Sequence, residues 1–270
     1  MKVRKLAVDF STTPAQWAAI PEFAQSMNAA SLWIPHLERF LNRTLSKASA
    51  TLDASYPDTG RLKSDIRIFI RQEAMHYTLH AAFNDILPRQ GYDVAGFERH
   101  FQAEFERIFS TKSLAFLCAY CEGFETMGPP MALAWLDEME DMLEGARPEV
   151  IKLWKWHLME EYEHRTVCHD VFHAIHGGYF LRVYGFFYQL FHLSGFSAMV
   201  LRHLLERDWA QMSPAEIKAS RRRLRKVRFR IAGRALLRMS RALSPFYTPR
   251  NAKEPRMYRS YMAKVEGGFG

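Results

Sequence analysis

An all-α fold, a four-helix bundle carrying additional C-terminal helices, is what this sequence of 270 residues predicts. Three observations lead there. Period-2 alternation is scarce, whereas apolar residues recur at i, i+3, i+4 and i+7 over long stretches. Proline and glycine punctuate those stretches where helices begin and end. A content of 48% hydrophobic and 14% aromatic residues supplies a sizeable core and excludes a disordered chain.

The elements follow in order. A first helix is expected to begin near Pro35, a favourable first-turn residue, and to run through LERFLNRTLSKA. After the turn YPDTG a second helix, with Ser64 as N-cap, spans Asp65 to about Leu87 and stops at Pro88 and Gly91. A third runs from Ser113 to a break at Pro129-Pro130, with MALAWLDEMEDML helical beyond it. A fourth starts after Arg147-Pro148 and continues to the stop at Gly177-Gly178. Residues from about 14 to 177 thus form the bundle. Residues from about 178 to 270 are an apolar and basic helical extension of the same single domain.

Charge is unevenly spread. The net +8 resolves into +12 between Ile217 and Arg250, which hold twelve Lys and Arg and no acid, and −4 for the rest. Val183 to Leu201 is nineteen residues without a formal charge, the minimal length for a bilayer span, yet it holds Gln189, His192, two Ser and two Gly. Packing against the bundle is the favoured reading of that stretch. Peripheral membrane contact, aided by the basic helix, comes next, and nucleic acid ranks below both. Three cysteines (Cys118, Cys121, Cys168) do not make a disulfide framework. The N-terminus lacks the apolar run of a signal peptide, so a cytoplasmic location is expected.

The chemistry resides in repeated spacings. Glu73 and His76 stand as E-x-x-H, and Glu161 and His164 repeat it, with His157 four residues before Glu161. Residues three apart on a helix lie ~60° from one another around the axis, and four apart ~40°, so such side chains reach one point. Facing helices can add Glu38 and Glu122. A carboxylate from each of two helices plus Glu-x-x-His from two others is a set that holds paired iron or manganese. Four inward carboxylates carry −4, which two divalent cations neutralise; left unmatched in an apolar interior, each would cost several kcal/mol.

The strings LERF, FIRQEAMHYTLH, CEGFET and WHLMEEYEHRTVCHDVF resemble a ferritin-like family labelled "predicted metal-dependent hydrolase", over roughly residues 30 to 175. The H-x-x-x-E-x-x-H element is similar to that of the di-iron p-aminobenzoate N-oxygenases, where the extra histidine is a third nitrogen ligand. The resemblance implies Glu38, Glu73, His76, Glu122, His157, Glu161 and His164 as ligands of two iron ions, with manganese or zinc as alternatives. Leu37 departs from the glycine the family tends to have before its first glutamate.

Around this set, Glu125 can exchange roles with Glu122, and the resemblance favours Glu122. His80, on the stripe of Glu73 and His76, is an eighth ligand or, preferably, an orienting partner of a ligand carboxylate. Thr126 resembles the threonine lining the oxygen pocket of bacterial di-iron monooxygenases, and equally reads as a helix threonine bonded to its own backbone. Glu160 and Glu163 read as solvated or paired with Arg165 or Lys155, and His169, His173 and His176 as surface or bundle-end residues. Cys118 and Cys121 read as small buried side chains, not as a zinc site.

The expected function is a non-haem di-iron oxygenase acting with O₂ on a small organic or lipid-like substrate and served by an electron donor. A di-metal hydrolase using a bridging hydroxide is the enzymatic alternative, and a metal-binding membrane-surface protein the non-enzymatic one. A homodimer is an admissible assembly.

Overall fold

Helix α1 (Pro21–Thr51) opens the helical part of the computed structural model, which describes residues 1–53 and 58–266. The helix starts well before Pro35, because Pro21 already supplies the first-turn proline and Phe23, Ala24 and Met27 begin the buried face. Pro35 therefore lies inside the helix. It has no N–H to offer the carbonyl of Ser31, four residues back. The side-chain amide of Asn84 donates to that carbonyl instead, at 3.0 Å.

Helix α2 (Thr59–Asn84) also starts earlier than expected, after Asp58 at φ 60°, so Ser64 lies inside the helix instead of capping it. The YPDTG turn falls partly outside the described residues. A short α3 (Ile86–Arg89) carries the chain to Gly91, whose φ of 80° ends the segment. Helix α4 (Ala95–Thr111) was not anticipated from the sequence, although Phe97, Phe101, Phe105 and Ile108 mark its inward face.

Helix α5 (Leu114–Glu125) begins where the Ser113 hydroxyl accepts from the Phe116 amide, at 3.3 Å. It ends before the prolines, because Pro129 and Pro130 sit in the first turn of a new helix, α6 (Gly128–Asp137). Thr126 and Met127 form the joint. After α7 (Glu140–Leu143), helix α8 (Pro148–His164) stops at Arg165-Thr166, and α9 (Val167–Ile175) runs on to Gly177 at φ 67°. The single fourth helix expected from the sequence is thus two helices, broken one residue after His164.

Helix α10 (Tyr179–Trp209) contains the uncharged stretch and packs on α5 and α1. Its backbone comes close to α5 because two glycines leave room: a Cβ on Gly185 would stand 2.6 Å from the Ala119 backbone, and one on Gly123 would stand 2.7 Å from Cα of Phe186. No helix among the described residues is long and apolar enough to cross a membrane.

The basic segment forms α11 (Pro214–Met239), which buries Leu224 and Val227 and is fastened to the acidic body. Arg223 binds Glu22 through both guanidinium branches, at 2.8 and 2.9 Å, while Arg230 pairs with Asp141 and Arg238 with Glu138. A last helix, α12 (Tyr258–Glu266), rests Tyr258 against Tyr162. The described residues form no strand, so the fold is all-α as expected.

Candidate metal centre

Glu38 from α1, Glu73 and His76 from α2, and His157, Glu161 and His164 from α8 converge between the helices. Among the described residues two donor groups stand out: Glu38, His76, His157 and Glu161, and Glu73, His76, Glu161 and His164. Within each group one donor atom per residue lies within 4.8 Å of the others. None of the six side chains is more than 3% exposed.

Glu161 is central. Its Oε1 lies 3.2 Å from Nε2 of His157, and 3.8 Å from both Nδ1 of His76 and Nε2 of His164. Oε1 of Glu73 is 3.5 Å from His76 Nδ1 and 3.1 Å from His164 Nε2. Oε1 of Glu38 is 3.9 Å from His76 Nδ1 and 3.8 Å from His157 Nε2. Most of these are contacts without hydrogen-bond alignment: both oxygens of Glu38 and Glu73, Oε1 of Glu161, Nδ1 of His76 and Nε2 of His164 are buried with no hydrogen-bond partner. Buried polar atoms are ordinarily satisfied, so a cluster of orphans aimed at one another is a site for a cation.

The opposite nitrogen of each imidazole is held. His76 Nε2–H donates to Oε2 of Glu160 at 3.2 Å, and Glu160 is backed by Arg4 at 3.5 Å. His164 Nδ1–H donates to Oε2 of Glu125 at 3.1 Å. His157 is fixed by a longer chain of hydrogen bonds. Asn84 uses its NH₂ on the Ser31 carbonyl that Pro35 leaves free, so its Oδ1 accepts from the Ser31 hydroxyl, 2.6 Å away. With its proton so placed, Ser31 Oγ accepts from Nδ1–H of His80 at 2.8 Å. His80 Nε2 then accepts from His157 Nδ1–H at 2.9 Å. In its neutral form each histidine therefore presents a lone pair inward, which metal ligation requires.

The buried charges of the cluster shift one another's acidity. Burial pushes the Glu38 carboxyl well up, reinforced by Glu73, Glu161 and Glu125. Burial and Glu161 raise Glu125 to about 8. For His76, burial is outweighed by the attraction of Glu73 and Glu160, and its value rises to about 9. His164 is raised in the same manner against burial by Glu125 and Glu161. Burial would also raise Glu73, but His76 and His164 hold it low. Burial lowers both His80 and His157, reinforced by His157 for the first and by His76 for the second.

The third helix departs from the sequence reading. Glu125, not Glu122, faces the cluster. Glu122 points aside, where its Oε1 meets His169 Nδ1 at 3.3 Å and Arg182 at 3.8 Å. The two glutamates sit one turn apart, and only the packing of α5 on α9 and α10 fixes which one faces inward. His80 orients a histidine and no carboxylate. Thr126 donates to the Glu122 carbonyl at 2.9 Å, the backbone-bonded alternative, while its hydroxyl also meets that of Tyr247. Glu160 is fully buried and not solvated, Glu163 binds Arg4 and Gln72 at 2.8 Å each, and His169 is buried. Cys118, Cys121 and Cys168 are buried, unpaired and outside both donor groups.

Sequence reasoning missed Arg4, Ser31 and Asn84, and placed Glu160 on the solvated side instead of beside His76. Asn84, at His80+4, carried the one usable signal, being polar on a stripe already rich in ligands.

Nitrogen and oxygen donors without sulfur, bearing several carboxylates, suit one or two divalent cations. No curated protein and no solved structure matches the chain. A family model does match it, over residues 2–253, and the chain therefore belongs to the family described as "Predicted metal-dependent hydrolase".

Proposed function

We propose that this chain is a non-haem di-iron oxygenase that oxidises a small organic or lipid-like substrate. One observation carries the reading: the two buried donor groups share the Glu161 carboxylate, which can serve two ions. Glu38 and His157 would complete one set and Glu73, His76 and His164 the other, so two metals would sit side by side in a buried site, each with histidine and carboxylate ligands. Two ferrous ions bound there would supply the electrons that reduce O₂, with an external donor restoring them. Glu73, Glu161 and Glu38 would bind the ions along with His76, His157 and His164. Glu160, Glu125 and His80 would keep the outer imidazole nitrogens in their hydrogen bonds. Burial favours a small apolar oxidant over bulk water as the co-reactant.

The test is anaerobic loading of the purified protein with ferrous iron, followed by metal analysis, an optical spectrum and O₂ uptake. About two iron atoms per chain and oxygen consumption on exposure to air are expected. Iron-free protein that hydrolyses ester substrates with zinc, and consumes no oxygen with iron, would replace this reading by the hydrolase one. The family's description favours that second reading.

The outer face of α11 extends the proposal to a partner. Arg222, Arg225 and Phe229 are exposed there, while Arg223 and Arg230 are occupied by the body. An anionic membrane surface fits such a face.

A further inference from the structure

A cleft of about 390 Å³ opens between the α5–α6 joint and the segment from Arg241 to Lys253. Its floor is Thr126, Pro129, Pro130 and Leu133; Thr126 and Leu133 are buried. The other side of that floor is the donor cluster. Glu125, which binds His164, immediately precedes Thr126, and a Cβ on Gly128 would stand 3.1 Å from Oε2 of Glu161. One thickness of backbone, bare of a side chain at Gly128, separates cleft from cluster.

The wall is built with equal care. Tyr247 lines the cleft with its hydroxyl against Thr126, its ring 5.3 Å from the Arg182 guanidinium and 5.9 Å from the His169 ring. Arg182 is itself anchored on the carbonyls of Ala242 and Ser244, at 2.7 Å each. The mouth differs in chemistry from the floor. Arg238 is matched by Glu138, but among the described residues Arg241 and Lys253 have no acidic partner, and both are exposed. An apolar hollow of this size with two unmatched cations at its lip selects a particular solute.

We propose that this cleft is the substrate site and that it takes an amphipathic anion, an apolar chain or ring ending in a carboxylate or phosphate. The anionic head meets Arg241 and Lys253, and the apolar end lies over Thr126 toward the metal cluster. The assignment rests on the reading of that cluster as the reaction centre, but it is tested without any reaction.

The probes are decanoate and decyl phosphate, with decanol as the uncharged control, titrated calorimetrically into zinc-loaded protein. One equivalent of either anion should bind, with decanol about tenfold or more weaker, as expected for losing charge-assisted hydrogen bonds. The R241A/K253A double variant alters only exposed side chains, and should weaken both anions about tenfold while leaving decanol unchanged. Manganese-loaded protein gives the orientation: its paramagnetism should broaden the terminal methyl resonance of decanoate more than that of the protons beside the carboxylate. Absence of saturable anion binding, equal binding of decanol, indifference to the double variant, or equal broadening along the chain would each overturn the proposal. Anion binding with this pattern in a protein that consumes no oxygen would sink the oxygenase reading alone.

Discussion

At the scale of single residues, the site works through pairs in which one partner binds and the other orients. The Ser31–His80–His157 chain makes this testable, because Ser31 touches no donor atom of either group. Ser31→Ala removes the acceptor for His80 Nδ1–H and so the constraint on His157. Affinity at the Glu38–His157 position should fall by about 10- to 100-fold, with the Glu73–His164 position unchanged, as read by titration against a competing chelator. Equal weakening of both positions would show that the chain of hydrogen bonds does not act selectively. Acidity provides a second test. The native pKa values of His76, about 9, and Glu125, about 8, lie above their ordinary ones. Between about pH 6.5 and 9 the metal-free native state thus holds protons that the unfolded chain has released. Stability of the metal-free protein should fall across that window, since the slope follows protons bound unfolded minus native. Metal affinity should rise over the same window, because binding must displace those protons. Thermal unfolding with and without zinc at several pH values checks both signs.

At the scale of elements, position is set by breaks and close approaches as much as by helices. Pro35 inside α1 frees the Ser31 carbonyl that seats Asn84, so a residue that reads as a helix start instead anchors a hydrogen-bond chain into the site. Ending α5 at Glu125 puts the Thr126–Met127 joint and Gly128 beside Glu161. The α5–α10 contact relies on absent side chains. A methyl on Gly185 would overlap the Ala119 backbone, which cannot swing aside as a long side chain could. Gly185→Ala should therefore destabilise the protein by about 1–3 kcal/mol, the usual range for overpacking, measured by urea unfolding. Gly195→Ala, where the added atom meets open space in the same helix, should cost nothing and is the control.

At the scale of the whole molecule, the sharp division of charge is a packing device before it is anything else. Glu22, Asp141 and Glu138 on the body receive Arg223, Arg230 and Arg238. Exposed ion pairs contribute little individually, and the burial of Leu224 and Val227 adds the apolar part of the attachment. The outward arginines Arg222 and Arg225 face solvent. Full-length protein should co-sediment with vesicles rich in phosphatidylglycerol and leave them at about 0.5 M salt, where the Debye length shrinks to a few ångströms. R222E/R225E should abolish retention. Retention on purely phosphatidylcholine vesicles would remove charge as its cause.

What the sequence determined by itself is the all-helical class and the converging donor pairs Glu73–His76 and Glu161–His164 with His157, because both follow from helical period alone. Spacings of three, four and seven place side chains on one stripe whatever else the chain does. The tertiary structure decided the rest. Glu125 rather than Glu122 faces the cluster because the rotation of α5 is set by glycine-lined contact with α10, which no local spacing records. Glu160 is buried and meets Arg4 from the N-terminal segment, across 156 residues of sequence. Periodicity tells which residues share a face, and only the packed neighbours tell which way that face is turned.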